Sequence, residues 1–199
     1  MASKLERLQT LLNEVQDLRA VADVLEWDQQ TYMPEGGGEA RAEQFATIKR
    51  LAHEKFVADE IGQLLGDLSA DGAVGDYDSD AAGLARFAKW EYDRKRKVPA
   101  ELESAIAQHT SLAQEVWAKA RAENNFEAFR PALEKMIDLK RQQAEAFGYT
   151  ESIYDPLLQE YERGMTAAQV KAVYDSTARQ TAILAARLML DFITVRALK

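Results

Sequence analysis

At 199 residues, with 47% hydrophobic and 29% charged side chains, the chain has room for one domain with a substantial core or for two small ones. A formal net charge of −8 argues against a general nucleic-acid binder, because phosphate recognition draws on clustered Lys and Arg. With no cysteine, disulfides and thiol catalysis are excluded. Residues Met1–Leu8 lack the apolar core of a secretory signal, and Thr181–Leu190, interrupted by Arg187, is too short to span a bilayer. The expectation is a cytoplasmic protein with no membrane and no nucleic-acid partner.

The apolar spacing is helical from the start. Leu5, Leu8, Leu12, Val15, Leu18, Ala22 and Leu25 follow 3- and 4-residue steps with one extra 3-step, the pattern of an amphipathic helix with a local phase slip. Ser3 followed by Glu6 fits a capping box at its beginning. Pro34 and the run Gly36-Gly37-Gly38 make a sharp turn, after which a second helix is expected over about 39–66. Two long helices joined by so short a turn lie antiparallel, so residues 1–66 read as an α-hairpin. Residues 67–80 are acidic, small and turn-rich. The repelling charges of Asp67, Asp71, Asp76, Asp78 and Asp80 oppose ordering, which makes this stretch the expected mobile loop.

Residues 81–199 read as part of a helical bundle that forms one structural unit with the hairpin. A third helix is expected over 81–97, and Pro99 suits the first turn of a fourth that continues to Asn124-Asn125. A fifth spans 126–147 and stops at Gly148; residues 149–164 are irregular, with one short helix after Pro156. Thr166 then caps a last helix with Val170, Val173, Thr177, Ile183 or Leu184, Leu188, Phe192 and Val195 along one face. No stretch alternates with period 2, so the fold class is all-α. The last helix reaches residue 199 with no Gly, Asn or Pro to stop it, which favours the expectation of a chain cut inside a larger fold over a natural terminus that packs on a partner.

Few residues stand out for chemistry. A catalytic zinc needs about three protein ligands, commonly beginning with two His one helical turn apart. Here the only histidines are His53 and His109, and the position four after His53 is Val57. His109, near the apolar stripe of the fourth helix, reads as a partly buried group hydrogen-bonded to a neighbour, and His53 as a surface or interface residue. Asp76, Asp78 and Asp80 mimic the first ligands of a calcium loop, but Ala81 and Phe87 stand where its Gly and bidentate Glu belong, so a solvated loop is the reading. Trp27, Asp28, Tyr32 and Met33 cluster before the turn. Either Trp27 and Met33 pack the hairpin tip while Asp28 pairs locally, or the tip lines a substrate cleft. Lys89, Arg94, Lys95, Arg96 and Lys97 complement the C-terminal dipole of the third helix on a solvated face. Asp155, Glu160 and Glu162 could pair as acid and base, with little specificity among 33 acidic residues.

Residues 25–41, Leu-Glu-Trp-Asp-Gln-Gln-Thr-Tyr-Met-Pro-Glu-Gly-Gly-Gly-Glu-Ala-Arg, resemble the opening signature of the carboxypeptidase Taq (M32) metallocarboxypeptidases. Arg41-Ala-Glu-Gln-Phe-Ala-Thr and Leu51-Ala-His-Glu continue the likeness. The stretch from Val116 through Trp117, Ala120-Arg121 and Phe126 to Pro131 and Leu133 is similar to a second block, with Asn125 in place of the usual Asp. Ile153-Tyr-Asp-Pro-Leu-Leu-Gln-Glu-Tyr-Glu-Arg-Gly-Met-Thr resembles a third, with Gln159 and Arg163 replacing Asp and Pro. The likeness covers residues 1–180 and fades over 181–199.

The resemblance implies a mostly helical, often homodimeric family more than twice this length, whose members remove C-terminal amino acids one at a time with Zn or Co. Its metal is bound through His-Glu-x-x-His, and those ligands and the general-base Glu lie beyond the matched region. No catalytic or metal-binding residue carries over, and no cofactor is expected on this chain. Trp27, Asp28, Tyr154, Asp155 and Glu162 match motif positions in the part that walls the substrate groove. They are cleft or packing positions with no catalytic role. One reading is therefore the N-terminal helical region of a metallocarboxypeptidase, inactive alone, whose partner is a full-length or C-terminal counterpart and whose peptide substrate binds only the complete enzyme. The other is a stand-alone truncated homologue, an all-α interaction module that binds itself or a full-length relative.

Overall fold

The computed structural model describes residues 3–34, 36–70 and 76–197, with backbone alone at 70 and 185–197. Among these residues there are eight helices and no strand, the all-α class expected. The chain forms two compact units, 1–147 and 148–199.

In the first unit, α1 (Lys4–Thr31) opens with the expected capping box. The Glu6 N–H donates to Ser3 Oγ at 3.2 Å and the Ser3 N–H to Glu6 Oε2 at 2.6 Å. The turn leads to α2 (Gly38–Phe56) and then α3 (Asp59–Ala70). Ion pairs run down the hairpin in antiparallel order: Asp28 with Arg41, Asp23 with Lys49, Glu14 with Lys55, Arg7 with Glu60 and Lys4 with Asp67. Gly38 begins α2 because a Cβ there would strike the Glu115 carboxylate.

The second arm is two helices, a departure from the single helix expected over 39–66. It breaks at Val57, whose φ of −90° and ψ of 8° leave the helical region, and restarts where the Ala58 carbonyl accepts from Ile61 and Gly62. In one continuous helix Phe56 and Ile61 would point about 140° apart at 3.6 residues per turn. The break brings both onto one core with Leu65, Leu68 and Leu8, Leu11 and Val15 of α1. Each large apolar side chain buried there contributes about 1.5–3 kcal/mol, enough to override helix continuity.

The acidic stretch is shorter than expected. Residues 67–70 belong to α3, and at the other end Ser79 caps α4 (Asp80–Lys95), accepting from the Ala82 N–H at 3.3 Å. Arg86 steadies this turn, donating to the Tyr77 carbonyl at 2.7 Å with its guanidinium 3.8 Å above the Tyr77 ring. Residues 71–75 of the stretch expected to be a mobile loop lie outside the described residues. Pro99 is the N-cap of α5 (Ala100–Ala122), and α6 (Phe126–Phe147) follows a tight reversal in which Asn124 takes φ 51° and Asn125 Oδ1 accepts from the Ala128 N–H. Helix α5 packs chiefly on α2 and α6, so it forms the centre of the unit. Gly148, at φ 82°, ends α6 as the sequence predicts.

The second unit holds α7 (Asp155–Leu158) and α8 (Ala167–Ala197). Thr166 caps α8 reciprocally: its Oγ1 accepts from the Gln169 N–H at 3.3 Å and its own N–H donates to Gln169 Oε1 at 2.9 Å. Val173, Ile183 and Leu184 of the expected apolar face are exposed. The side chains of Leu188, Phe192 and Val195, which continue that face in the sequence, lie outside the described residues.

Candidate functional site

The hairpin tip is organised by Arg41, which sequence reasoning passed over except as a motif letter. From the first turn of α2 its guanidinium reaches back to α1, donating to the Leu25 carbonyl at 2.7 Å and to Asp28 Oδ2 at 2.5 Å. Asp28 thus pairs locally, as one of the two readings held. On the neighbouring turn Gln29 and Ser111 exchange two hydrogen bonds of 2.8 Å, donating Nε2 to the Ser111 carbonyl and accepting from Ser111 Oγ, which ties α1 to α5.

Trp27 does not pack the tip. It is 57% exposed, Tyr32 is 75% exposed, and the two rings lie 5.5 Å apart, an aromatic pair displayed on a backbone the Arg41 clamp holds still. Trp27 points away from the bundle because its neighbours Val24, Gln30 and Thr31 are also exposed, while the core-facing stripe passes through Ala22 and Leu25.

The remaining motif residues lie in the second unit. Asp155 has a structural role: Oδ1 accepts from the Ala167 N–H at 2.8 Å, satisfying the start of α8, and Oδ2 accepts from the Ser152 N–H at 3.3 Å. Tyr154 and Glu162 are exposed. Gln159, standing where the resembling family has Asp, uses both ends of its amide, accepting from the Gly164 N–H and donating to the Met165 carbonyl, each at 2.7 Å. The turn before α8 is therefore braced by an amide that bonds as donor and acceptor at once.

Of the two alternatives for His53, burial sets aside the surface one: it is 8% exposed, and its Nε2 is 2.9 Å from the Val98 carbonyl. That acceptor places the ring proton on Nε2. Burial pushes its pKa below the ordinary histidine value, aided by Lys95 and opposed by Glu103 and the carbonyl bond. The signal was legible: Phe45, Ala46, Ala52, His53 and Phe56 share one helical face, and that face packs on the bundle. His109 is as expected, half-buried with Nε2 2.8 Å from the Ala132 carbonyl.

His53 lines a cavity of about 470 Å³ walled by α1, α2, α4 and α5. Arg19 pairs with Glu91 at 2.7 Å and Lys95 with Glu103 at 3.2 Å along its walls. The basic run at the end of α4 is thus not simply a solvated face. Besides the Lys95 pair, Arg94 lies 4.2 Å above the Phe147 ring and Lys97 donates to the Phe147 carbonyl at 3.1 Å, stapling α4 to the end of α6.

The two histidines stand on different helices, and among the described residues no three His, Cys, Asp or Glu side chains are grouped to hold an ion. Among the described residues no helix is long and apolar enough to cross a membrane.

The family model for carboxypeptidase Taq (M32) metallopeptidases matches residues 7–188. The chain belongs to this family. It is 32% identical over 167 residues to thermostable carboxypeptidase 1 of Thermus thermophilus, a stretch covering 79% of this chain and 32% of that protein. The M32 carboxypeptidase structure from Deinococcus radiodurans R1 is similar with a TM-score of 0.64 and 29% identity, covering 88% of this chain and 35% of that one. The BsuCP crystal structure shares the fold with a TM-score of 0.82 at 23% identity, again over 88% and 35% of the two chains. The M32 chain described here therefore spans about a third of the length of the curated relatives it matches.

Proposed function

We propose that this chain is the N-terminal, groove-forming region of an M32 metallocarboxypeptidase that removes C-terminal amino acids from peptides in the cytoplasm. The observation that carries this reading is the family match over residues 7–188 combined with coverage of only about a third of the relatives' length. Metal, Zn or Co, and the general base come from polypeptide beyond the matched part. A metal ion held by those residues would supply Lewis acidity and activate water for peptide hydrolysis. The residues of this chain contribute shape: the Trp27–Tyr32 pair, held by the Arg41–Asp28 clamp, offers an exposed aromatic surface to a peptide side chain. The test is hydrolysis of a blocked dipeptide by the purified chain, with and without the C-terminal two-thirds of a family member. No turnover alone and chelator-sensitive turnover in the mixture support the proposal; chelator-sensitive turnover by the chain alone overturns it.

A second reading, a self-associating all-α module, is favoured by the exposed Val173, Ile183 and Leu184 of α8. Sedimentation at micromolar concentration decides it. A dimer supports the module, and a monomer whose stability does not vary with concentration refutes it.

A further inference from the structure

Helices α5 and α6 leave an open groove along one side of their seam. We propose that it seats an amphipathic helix from the part of the M32 fold that this chain does not cover. The proposal rests on the reading of the chain as the N-terminal region of such an enzyme.

Helical spacing sets the lining. Thr110, Ala113, Gln114 and Trp117 come from α5, at i, i+3, i+4 and i+7. Phe129, Ala132, Leu133 and Met136 come from α6 at the same steps. Each set is the stripe that one helix shows to a neighbour. The two helices are antiparallel, as the His109–Ala132 and Gln143–Glu103 bonds require. Trp117 and Phe129 therefore lie toward one end, Thr110 and Met136 toward the other, and the small Ala113 and Ala132 between them. His109 Nε2, 2.8 Å from the Ala132 carbonyl, fixes the seam at this level, so the groove is formed before anything enters it. Trp117 is 38% exposed, and Val116, Phe126 and Ile137 on the same two helices are more exposed still.

Shape and chemistry select the occupant. Two apolar stripes side by side receive the ridge of a third helix at an interaxial distance of about 8–10 Å. A small molecule fits less well. The space is only about 300 Å³, and its polar side chains, Thr110 and Gln114, both stand on α5 instead of converging from several sides. A second copy would present the same concavity, with Ala113 and Ala132 where a ridge is needed. The relatives supply the remaining candidate: this chain shares their fold yet covers about a third of their length. The rest of an all-α fold buries its own apolar stripes against faces of this part. The other apolar groove, at Val21, Leu25 and Ile48 of the hairpin, also carries Glu43 and Gln44 and suits an apolar ridge less.

The experiment is co-expression of the 199-residue chain with the C-terminal two-thirds of thermostable carboxypeptidase 1 of Thermus thermophilus. Amide exchange is mapped on this chain alone and in the complex. The expected result is a complex in which residues 110–117 and 129–136 exchange about tenfold more slowly than in the chain alone. Ala113→Gln fills the groove and should weaken the complex about tenfold, about 1.4 kcal/mol, whereas Val21→Gln in the hairpin groove should leave it unchanged. No complex, a complex with unchanged exchange at the groove, or equal weakening by the two variants overturns the proposal. Concentration-dependent protection of the groove in the chain alone assigns it to a second copy and also overturns it. If Ala113→Gln does not fold, the exchange map of the parent chain decides. A complex with a protected groove and no chelator-sensitive turnover upholds the docking and counts against the peptidase reading. An active complex with an unprotected groove does the reverse.

Discussion

Replacing Gly62 by Ala tests how tightly α3 is seated on α4. An added Cβ would lie against the Tyr92 hydroxyl, 2.7 Å from Cζ and 3.1 Å from Cε1 of the ring. Tyr92 has little freedom to move. It is 4% exposed, sits edge-on to Phe56 at 6.2 Å, and its hydroxyl faces the Val57 carbonyl at 3.4 Å. Overpacking of this kind costs about 1–3 kcal/mol, offset by about 0.5–1 kcal/mol of improved helix propensity. Gly66, one turn along the same helix, has nothing within 4 Å of its would-be Cβ, so Gly66→Ala reports the propensity gain alone. The difference between the two variants isolates the steric cost at about 1–3 kcal/mol, roughly 2–12 °C in melting temperature for a chain of this size. Thermal unfolding by circular dichroism measures both. Gly66→Ala should melt above the parent and Gly62→Ala well below Gly66→Ala, with part of the gap recovered in a Tyr92→Phe background. If the two variants are equally stable, the ring yields without cost and the packing argument is wrong.

The remaining predictions concern the clamp, the buried histidine and the last helix. Arg41→Met removes the bonds to Leu25 and Asp28 and should cost about 2 kcal/mol in urea unfolding, and Arg41→Lys, lacking the fork, should recover little of it. A neutral Arg41→Met would show the clamp to be ornamental. Because His53 binds its proton at lower pH in the folded than in the unfolded chain, stability should fall as pH drops below the unfolded value of about 6.5, by at most about 1.4 kcal/mol per pH unit. Urea midpoints at neutral and mildly acidic pH check this, and His53→Gln should flatten the slope there; an unchanged slope refutes the assignment. Asp155→Ala should cost about 1 kcal/mol and speed amide exchange in the first turn of α8, where unchanged protection would contradict its capping role.

The family was legible in three ordered sequence blocks, and the helix ends were legible wherever a local rule governs them. The Ser3–Glu6 box, the Thr166 cap and the stop at Gly148 each depend on a few adjacent residues satisfying the orphan backbone groups of one helix end. Tertiary packing decided the rest. Nothing local marks the break at Val57; it exists because Phe56 and Ile61 bury the same core only if the helix is re-phased between them. Burial of His53, display of Trp27 and recruitment of the basic run as a staple all depend on which neighbour α5 or α6 presents. The charged cavity is the clearest case, since Arg19 lies 72 residues from its partner Glu91 and nothing in either segment marks the pairing. Helix caps act over one turn of chain and leave a mark in sequence, whereas pairing across a bundle is set by distances that only the folded arrangement of several helices fixes.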